Sequence, residues 1–329
     1  MDPLTHGIVG ATNARASLSI KSRGVVAIAA CLAGMAPDLD VLIFSRTDPL
    51  LFLEYHRQFT HSLVFIPVGS LLCALAFHPF TKRHFGFRSL LLVCLAGYGV
   101  HALLDACTTY GTQLLWPFSS ARIAWNNIAI VDPLFTLPVL AFVVASHVRA
   151  RRWLAWAGLG WAIFYLGLGV VQRDRAEAVA TQLAADRGLD ALGISALPAV
   201  GSLLIWKTVI ETQDRFYIDG VRVGRQARVY PGKYVQKLDV ERDFPWLDPA
   251  SQQARDLERF SWFANRYLGL DPARRDVVID LRYSVAPDEL APLWGIRLDP
   301  DAAPSAHVEY VTGGRSPEHG RRLIEMFFN

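Results

Sequence analysis

The chain has 329 residues, of which 52% are hydrophobic and 19% are charged, and its formal net charge at pH 7 is +3. This composition is too apolar for an ordinary soluble protein, and the length is sufficient for two domains. The small net charge, with basic residues in short clusters, argues against a dedicated nucleic-acid-binding surface.

The charges are unevenly distributed along the chain. Residues 1–171 contain 12 of the 33 Lys and Arg residues and 7 of the 30 Asp and Glu residues, which makes this part +5 and the remainder −2. We therefore predict an all-α polytopic membrane domain of about five or six helices over residues 1–171. A small α+β soluble domain is predicted over residues 172–329.

Apolar runs define the predicted helices of the membrane domain. A helix rich in small residues covers residues 4–20, and the run from Val25 to Phe44 follows, interrupted by the segment Ala36–Asp40. Further spans are predicted at residues 62–78, 89–108, 132–147 and 153–171. Two of them are shorter than the roughly 20 residues that a bilayer requires, so we expect tilt or extension into their flanks.

Basic residues mark three alternate turns of this domain, at residues 15–23, 82–88 and 149–152. The positive-inside rule places these turns in the cytoplasm, so the opposite turns and the chain after Val171 are predicted to lie outside it. That orientation brings several ionisable residues to one membrane face: His6, Asp38, Asp40, His56, His61, His101, Asp105 and Asp132.

The soluble part alternates between strand and helix patterns. Strands are predicted at residues 203–212, 215–223, 227–235, 277–283 and 307–311, and helices at 173–192, 251–268 and 317–328. Turn signals such as Asp219-Gly220 accompany the strands. These patterns are typical of a small α+β domain.

His101 and Asp105 form the main candidate ligand pair of the predicted membrane domain. Positions four apart share one face of a helix, so the imidazole and the carboxylate point the same way. An ionisable residue near the centre of a bilayer costs roughly 2.5–3.5 kcal/mol, so the pair requires a partner, a water-filled cavity or a metal. The structural alternative is a buried His-Asp hydrogen bond between helices.

Three further segments carry candidate ligands. Pro37 stops a helix, so Asp38 and Asp40 can point at a common centre only if the backbone there is not a regular helix. The alternative is an ordinary helix end with solvated aspartates. His56 and His61 offer two imidazoles, and the intervening Arg57 offers a charge for an anion.

Two more residues have simple structural explanations. His6 is an isolated histidine near the N-terminus, and such a residue is usually only a polar side chain. Asp132 precedes Pro133 at a predicted helix start, where capping is the default interpretation.

The convergence of these residues favours a metal site, because the orientation was derived from Lys and Arg alone. Imidazoles and carboxylates in this mixture suit Zn²⁺ or Mn²⁺. The seven His and Asp ligands exceed the need of one tetrahedral zinc, so two or more metals are predicted. Such sites hold metals about 3.5–4 Å apart and clamp a displaced phosphoryl or acyl group.

Four motifs occur in a familiar order: Asp2–His6, Gly34–Asp40, His56–Ser62 and His101–Asp105. As a set they resemble the YdjM-like family of inner-membrane metal-dependent hydrolases, over about residues 1–150. That family is distantly similar to zinc-dependent phospholipases C and single-strand nucleases. The resemblance implies an inner-membrane location and a zinc site with these ligands: His6, Asp38, Asp40, His56, His61, His101 and Asp105. The remote relatives carry a second HxxxE/D pair that this chain lacks after residue 105, where Asp132 is the candidate substitute.

The sequence thus predicts a membrane-bound hydrolase of a phosphoester bond that uses metal-activated water. Asp40 or Asp132 is the candidate proton acceptor, and Arg57 the candidate anion clamp. The expected partners are membrane lipids and a phosphoester or lipid-like substrate, without nucleic acid.

Two other functions are compatible with the same residues. An intramembrane proton or metal transporter would need polar residues that continue to the cytoplasmic face, whereas the inner halves of these spans are almost wholly apolar. A membrane scaffold would use the metal only to hold helices together.

Overall fold

The protein is described by a computed structural model over residues 1–313 and 317–328. These residues divide into two compact units. The first unit consists of Met1–Leu42, Tyr55–Val170 and Val200–Ser202. The second consists of Ile43–Glu54, Val171–Ala199 and the described residues from Leu203 onward.

Helices account for most of the N-terminal half. In chain order they are α1 (Pro3–Ser17), α2 (Arg23–Met35), α3 (Leu51–Tyr55), α4 (Ile66–Thr81), α5 (Phe87–Tyr98), α6 (His101–Ala106), α7 (Pro133–Val148) and α8 (Trp153–Asp186). The helix predicted separately at residues 173–192 is thus the continuation of α8, which ends at Asp186. Among the described residues, four segments are long and apolar enough to cross a membrane: Arg23–Leu42, Leu63–Thr81, Phe87–Ala106 and Trp153–Asp186.

Small residues allow the first helices to pack closely. Helix α1 packs against α2, α5 and α7, and Ala30 and Ala33 of α2 are fully buried. Gly34 lies so near α1 that a Cβ atom there would be 2.8 Å from the carbonyl oxygen of His6. Close backbone approach through small residues is typical of helix association in membranes.

Two membrane segments are interrupted near the candidate ligands. Helix α2 ends before Pro37, and the chain continues as a 3-10 turn over Ala36–Leu42. The run predicted at residues 89–108 consists of α5 and α6, which are separated at Gly99 and Val100. Irregular backbone at membrane depth is tolerated where it is buried in protein or lines a cavity, and Pro37, Asp38 and Asp40 of the first interruption are buried.

The second unit contains antiparallel sheets. The strands are β1 (Gly193–Pro198), β2 (Ile205–Glu211), β3 (Arg215–Val223), β4 (Ala227–Gln236), β5 (Leu268–Asp271), β6 (Arg274–Asp280), β7 (Trp294–Arg297) and β8 (Glu309–Thr312). In the described residues they form two four-stranded sheets, ordered β1-β2-β3-β4 and β5-β6-β7-β8. Buried side chains of both sheets share one core, for example Val209 and Ile218 with Val277 and Ile279. The helices α9 (Val240–Asp243), α10 (Gln252–Phe263) and α11 (Pro317–Phe328) complete the unit.

The segment 43–54 belongs to the second unit, although in sequence it lies between two helices of the first. Leu50 and Leu53 are buried. Arg259 of α10 donates to Asp48 at 2.8 Å and also pairs with Glu54. The loop is therefore fixed by apolar burial and by ion pairs.

Candidate metal centre

His101 lies on α6 with its ring orientation determined by the backbone of α2. Its Nδ1 lies 2.6 Å from the carbonyl oxygen of Gly34. Because a carbonyl only accepts hydrogen bonds, Nδ1 carries the proton and Nε2 presents its lone pair. Metal-binding histidines are oriented in this way by the hydrogen bond of their second nitrogen.

His61 is oriented in the same manner by a carboxylate. It lies in the 3-10 turn Phe59–His61, and its Nδ1 is 3.2 Å from Oδ2 of Asp40. Thr60 donates its hydroxyl to the same oxygen at 2.7 Å. A carboxylate behind an imidazole fixes the tautomer and increases the basicity of the ligating nitrogen.

Four buried residues from different segments converge on one point. Asp38, His61, His101 and Asp105 each contribute an atom to a group that lies within 4.8 Å. The two Nε2 atoms are 2.9 Å apart, and their distances to the carboxylate oxygens of Asp38 and Asp105 are 3.1–3.7 Å. A tetrahedral zinc with bonds of about 2.0–2.2 Å requires donors about 3.3 Å apart, so the set fits such an ion.

The local electrostatics also favour a cation at this point. The lone pairs of two facing Nε2 atoms repel unless a proton or a metal ion is shared between them. Among the described residues, Oδ2 of Asp38 has no hydrogen-bond partner, although it is buried. Burial lowers the pKa of His61, but hydrogen bonds to Asp105, Asp38 and Asp40 outweigh it and raise this pKa to about 10.

His6 and His56 lie beside the four-residue group rather than in it. The ring of His6 stacks on that of His101 at 3.6 Å, and its Nε2 is 3.0 Å from Oδ1 of Asp105. His56 has its Nδ1 2.6 Å from Oδ1 of Asp40. In this conformation both histidines support carboxylates of the centre.

Arg57 connects the two aspartate segments. Its backbone N–H donates to Oδ2 of Asp40 at 3.0 Å, and its guanidinium lies 3.1 Å from Oδ1 of Asp105 and donates to Thr108 at 2.9 Å. The residue has a φ of 65°, a conformation that is uncommon for a side-chain-bearing residue. Such strained backbone clusters at functional sites.

Tyr110 and Arg122 are part of this region and were missed from the sequence. The Tyr110 ring lies 4.7 Å from the guanidinium of Arg57 and 5.1 Å from that of Arg122. Arg122 is the one Lys or Arg residue between Arg88 and Arg149. That isolation is the signal by which sequence reasoning could have found it.

Asp132 is occupied as a helix cap. Its Oδ1 accepts from the backbone N–H groups of Leu134 and Phe135 at 3.0 and 3.2 Å. The hydroxyl of Tyr165 lies 2.9 Å from its second oxygen. Asp132 is not in the four-residue group, and these bonds account for its burial.

The second unit contains another His and Asp group, formed by Asp48, Asp256 and His307. Arg259 donates to both of these aspartates at 2.8 Å. A guanidinium between the carboxylates already neutralises them, so we interpret this group as an ion-pair network rather than a metal site.

Comparisons with known proteins find a matching family and two relatives that share part of the chain. A family model described as YdjM inner membrane protein matches residues 1–176. The chain is 40% identical over 110 residues to Inner membrane protein YbcI of Escherichia coli (strain K12), which covers 31% of this chain and 60% of that protein. It is 29% identical over 146 residues to Uncharacterized protein YfhP of Bacillus subtilis (strain 168), covering 44% and 41%. The matched part therefore spans less than two thirds of either relative. No solved structure matches the chain significantly.

Proposed function

Since this chain belongs to the YdjM inner membrane protein family, we propose that it is a multi-pass membrane protein with a metal-dependent hydrolase site. The match to the family model confirms the predicted YdjM family, and this family and the four apolar segments support the predicted membrane location. The hydrolase activity, the metal and the orientation are our proposals.

One observation carries the proposal of a metal. Two imidazoles expose their Nε2 atoms to a common point, and each is held in that tautomer by a partner on Nδ1, Gly34 for His101 and Asp40 for His61. Together with Asp105 they offer three donors for one Zn²⁺ or Mn²⁺, and the fourth position would stay open to water beside Asp38. A purely structural His-Asp pair would not need four converging groups.

The reaction that suits this site is hydrolysis of a phosphoester. A bound zinc ion would lower the pKa of a coordinated water to about 7 and polarise a phosphoryl oxygen. The water oxygen would form a bond to phosphorus while the ester P–O bond breaks, and the proton that a carboxylate accepts from the water would pass to the leaving alcoholate. Arg57 contributes positive charge beside Asp105, where it would attract the substrate anion.

The hydrogen bonds distinguish the roles of the aspartates. Asp40 is in contact with His56, Arg57, Thr60 and His61, which suits an orienting carboxylate better than a base. The oxygens of Asp132 serve its cap. In the described part of the chain Oδ2 of Asp38 has no partner, so we assign the proton acceptor to Asp38.

Metal analysis with an activity assay tests this proposal. The purified wild-type protein should contain at least one equivalent of zinc or manganese and hydrolyse bis(p-nitrophenyl) phosphate, and chelation should remove both. His101→Ala should lose the metal, whereas Asp132→Asn, which alters a buried carboxylate outside the centre, should keep it. Full metal occupancy in His101→Ala would refute the site. A metal-loaded protein without hydrolysis would favour the transporter or the scaffold.

The proposed orientation places the second unit outside the cytoplasm. It rests on the three basic turns. Residues 43–54 belong to the second unit, so they must lie on the same side of the membrane as the rest of that unit. A phosphatase reporter that is active only outside the cytoplasm should be active when it is fused to the C-terminus. A fusion that functions only in the cytoplasm would reverse the orientation.

A further inference from the structure

An apolar groove of 590 Å³ runs along one face of α4 in the first unit. Its floor follows that helix from Phe65 through Gly69, Cys73 and Ala76 to Phe77. These positions share one helix face, and at 1.5 Å per residue they extend over about 18 Å. The groove therefore covers more than half of a hydrocarbon core of about 30 Å.

One end of the groove is built by the segments that carry the metal ligands. Ala36 and Leu39 line it, and Asp38 lies between them in the same 3-10 turn. Thr60 also lines it, and its hydroxyl lies 2.7 Å from Asp40 and 2.9 Å from His61. A molecule that fills the groove therefore ends next to the metal centre.

The walls offer hydrocarbon rather than hydrogen bonds. Two hydroxyls line the groove, and both are engaged, that of Tyr98 with the Thr60 carbonyl at 2.7 Å and that of Thr60 with Asp40. The other described lining residues are apolar or, at Cys73, a thiol. A helix about 10 Å wide and 18 Å long needs more than about 1,000 Å³, so the groove is too small for one.

We propose that this groove binds one acyl chain of a lipid whose phosphoester group lies at the metal centre. The hydrolysed bond rests on the proposed function, whereas binding of the chain does not. Bilayer lipid is as apolar as the groove, so a chain gains little affinity by entering it. The groove acts by holding the headgroup in position, and its effect should appear mainly in the rate.

Labelling in a membrane tests the binding of the chain directly. The full-length protein is reconstituted in phosphatidylethanolamine and phosphatidylglycerol vesicles that contain a phospholipid with a diazirine on its acyl chain. After illumination, mass spectrometry should locate adducts on the α4 face between Phe65 and Phe77. Ala76→Phe fills the end of the groove far from the metal centre, so it should exclude the chain sterically and reduce these adducts.

A second groove provides the matched control. It measures 440 Å³ and is lined by residues of α1, α2 and α7, including Ala27, and it contains no ligand of the metal centre. Ala27→Phe makes the same change there. This variant should retain the adducts on α4 and the activity of the wild type.

Turnover distinguishes the two proposals from each other. Ala76→Phe should lower the ratio of long-chain phospholipid hydrolysis to bis(p-nitrophenyl) phosphate hydrolysis about tenfold. Adducts on α4 without hydrolysis of either substrate would support the groove and overturn the hydrolase. Hydrolysis of the soluble ester, with α4 adducts that Ala76→Phe does not reduce or a substrate ratio that it does not change, would overturn the groove and leave the hydrolase standing.

Discussion

Asp40→Asn tests whether the centre is organised around a metal. The substitution keeps the size of the side chain but replaces one oxygen with an NH₂ group. Asp40 receives hydrogen bonds from the Arg57 amide and from Thr60, and its oxygens face His56 and His61. The amide cannot accept all of these, so the ring of His61 loses its orienting partner.

The expected magnitude follows from the position of Asp40 behind a ligand. Loss of such an outer partner typically reduces metal affinity by 10–100-fold, or about 1.4–2.7 kcal/mol. His101 keeps its own bond to the Gly34 carbonyl, so binding should be weakened rather than abolished. Removal of a direct ligand, as in His101→Ala, should have a larger effect.

Competition with a chromogenic zinc chelator measures this difference on purified protein in detergent. Asp132→Asn is the control, because it also replaces a buried carboxylate but at a helix cap. Both variants should melt at lower temperature, and only Asp40→Asn should bind zinc more weakly. Equal zinc affinity in Asp40→Asn and wild type, or an equal loss in Asp132→Asn, would refute this reasoning.

Three other predictions concern single side chains. His6→Ala removes the contacts with His101 and Asp105 and should lower the metal retained after dialysis, and unchanged content would exclude a role for His6. Arg259→Gln removes the guanidinium that pairs with buried Asp256 and should lower the free energy of unfolding by about 1–3 kcal/mol in a denaturation experiment. The control is Arg255→Gln, which changes an exposed side chain and should stay within about 0.5 kcal/mol of the wild type. Burial lowers the pKa of Lys207 to about 7 from 10.5. Between these values the folded side chain is neutral and the unfolded one protonated, so stability should rise with pH in this window. Lys207→Met should flatten that slope in thermal melts, and an unchanged slope would contradict the assignment.

Local patterns in the sequence are sufficient for much of the architecture. Strand alternation predicts β3 at residues 215–223, which the structure also has, and the run at 203–212 contains β2. Side-chain periodicity reports which face is buried, and this property is local. The strands β1, β5 and β7 were not predicted, because short strands are determined mainly by their neighbours in a sheet.

Four of the seven ligands that the sequence predicts converge in the structure, and they are Asp38, His61, His101 and Asp105. The positive-inside rule uses only Lys and Arg, and it predicts that the His and Asp motifs lie on one membrane face. The four motifs also indicated the family, which the match over residues 1–176 confirms. In both cases the information lies in the order and spacing of residues along the chain.

Only the tertiary structure shows which of these residues join the ligand group and which contact the ligands from outside. Asp38 and Asp40 are two residues apart, but Asp38 joins the ligand group while Asp40 contacts Nδ1 of His61. That division depends on the 3-10 geometry of Ala36–Leu42, which holds both aspartates. By contrast, the capping role of Asp132 is local and was predicted from the sequence, and the tertiary structure adds the hydroxyl of Tyr165 from α8. Distances between segments depend on helix packing, which the spacing of residues along one chain does not encode.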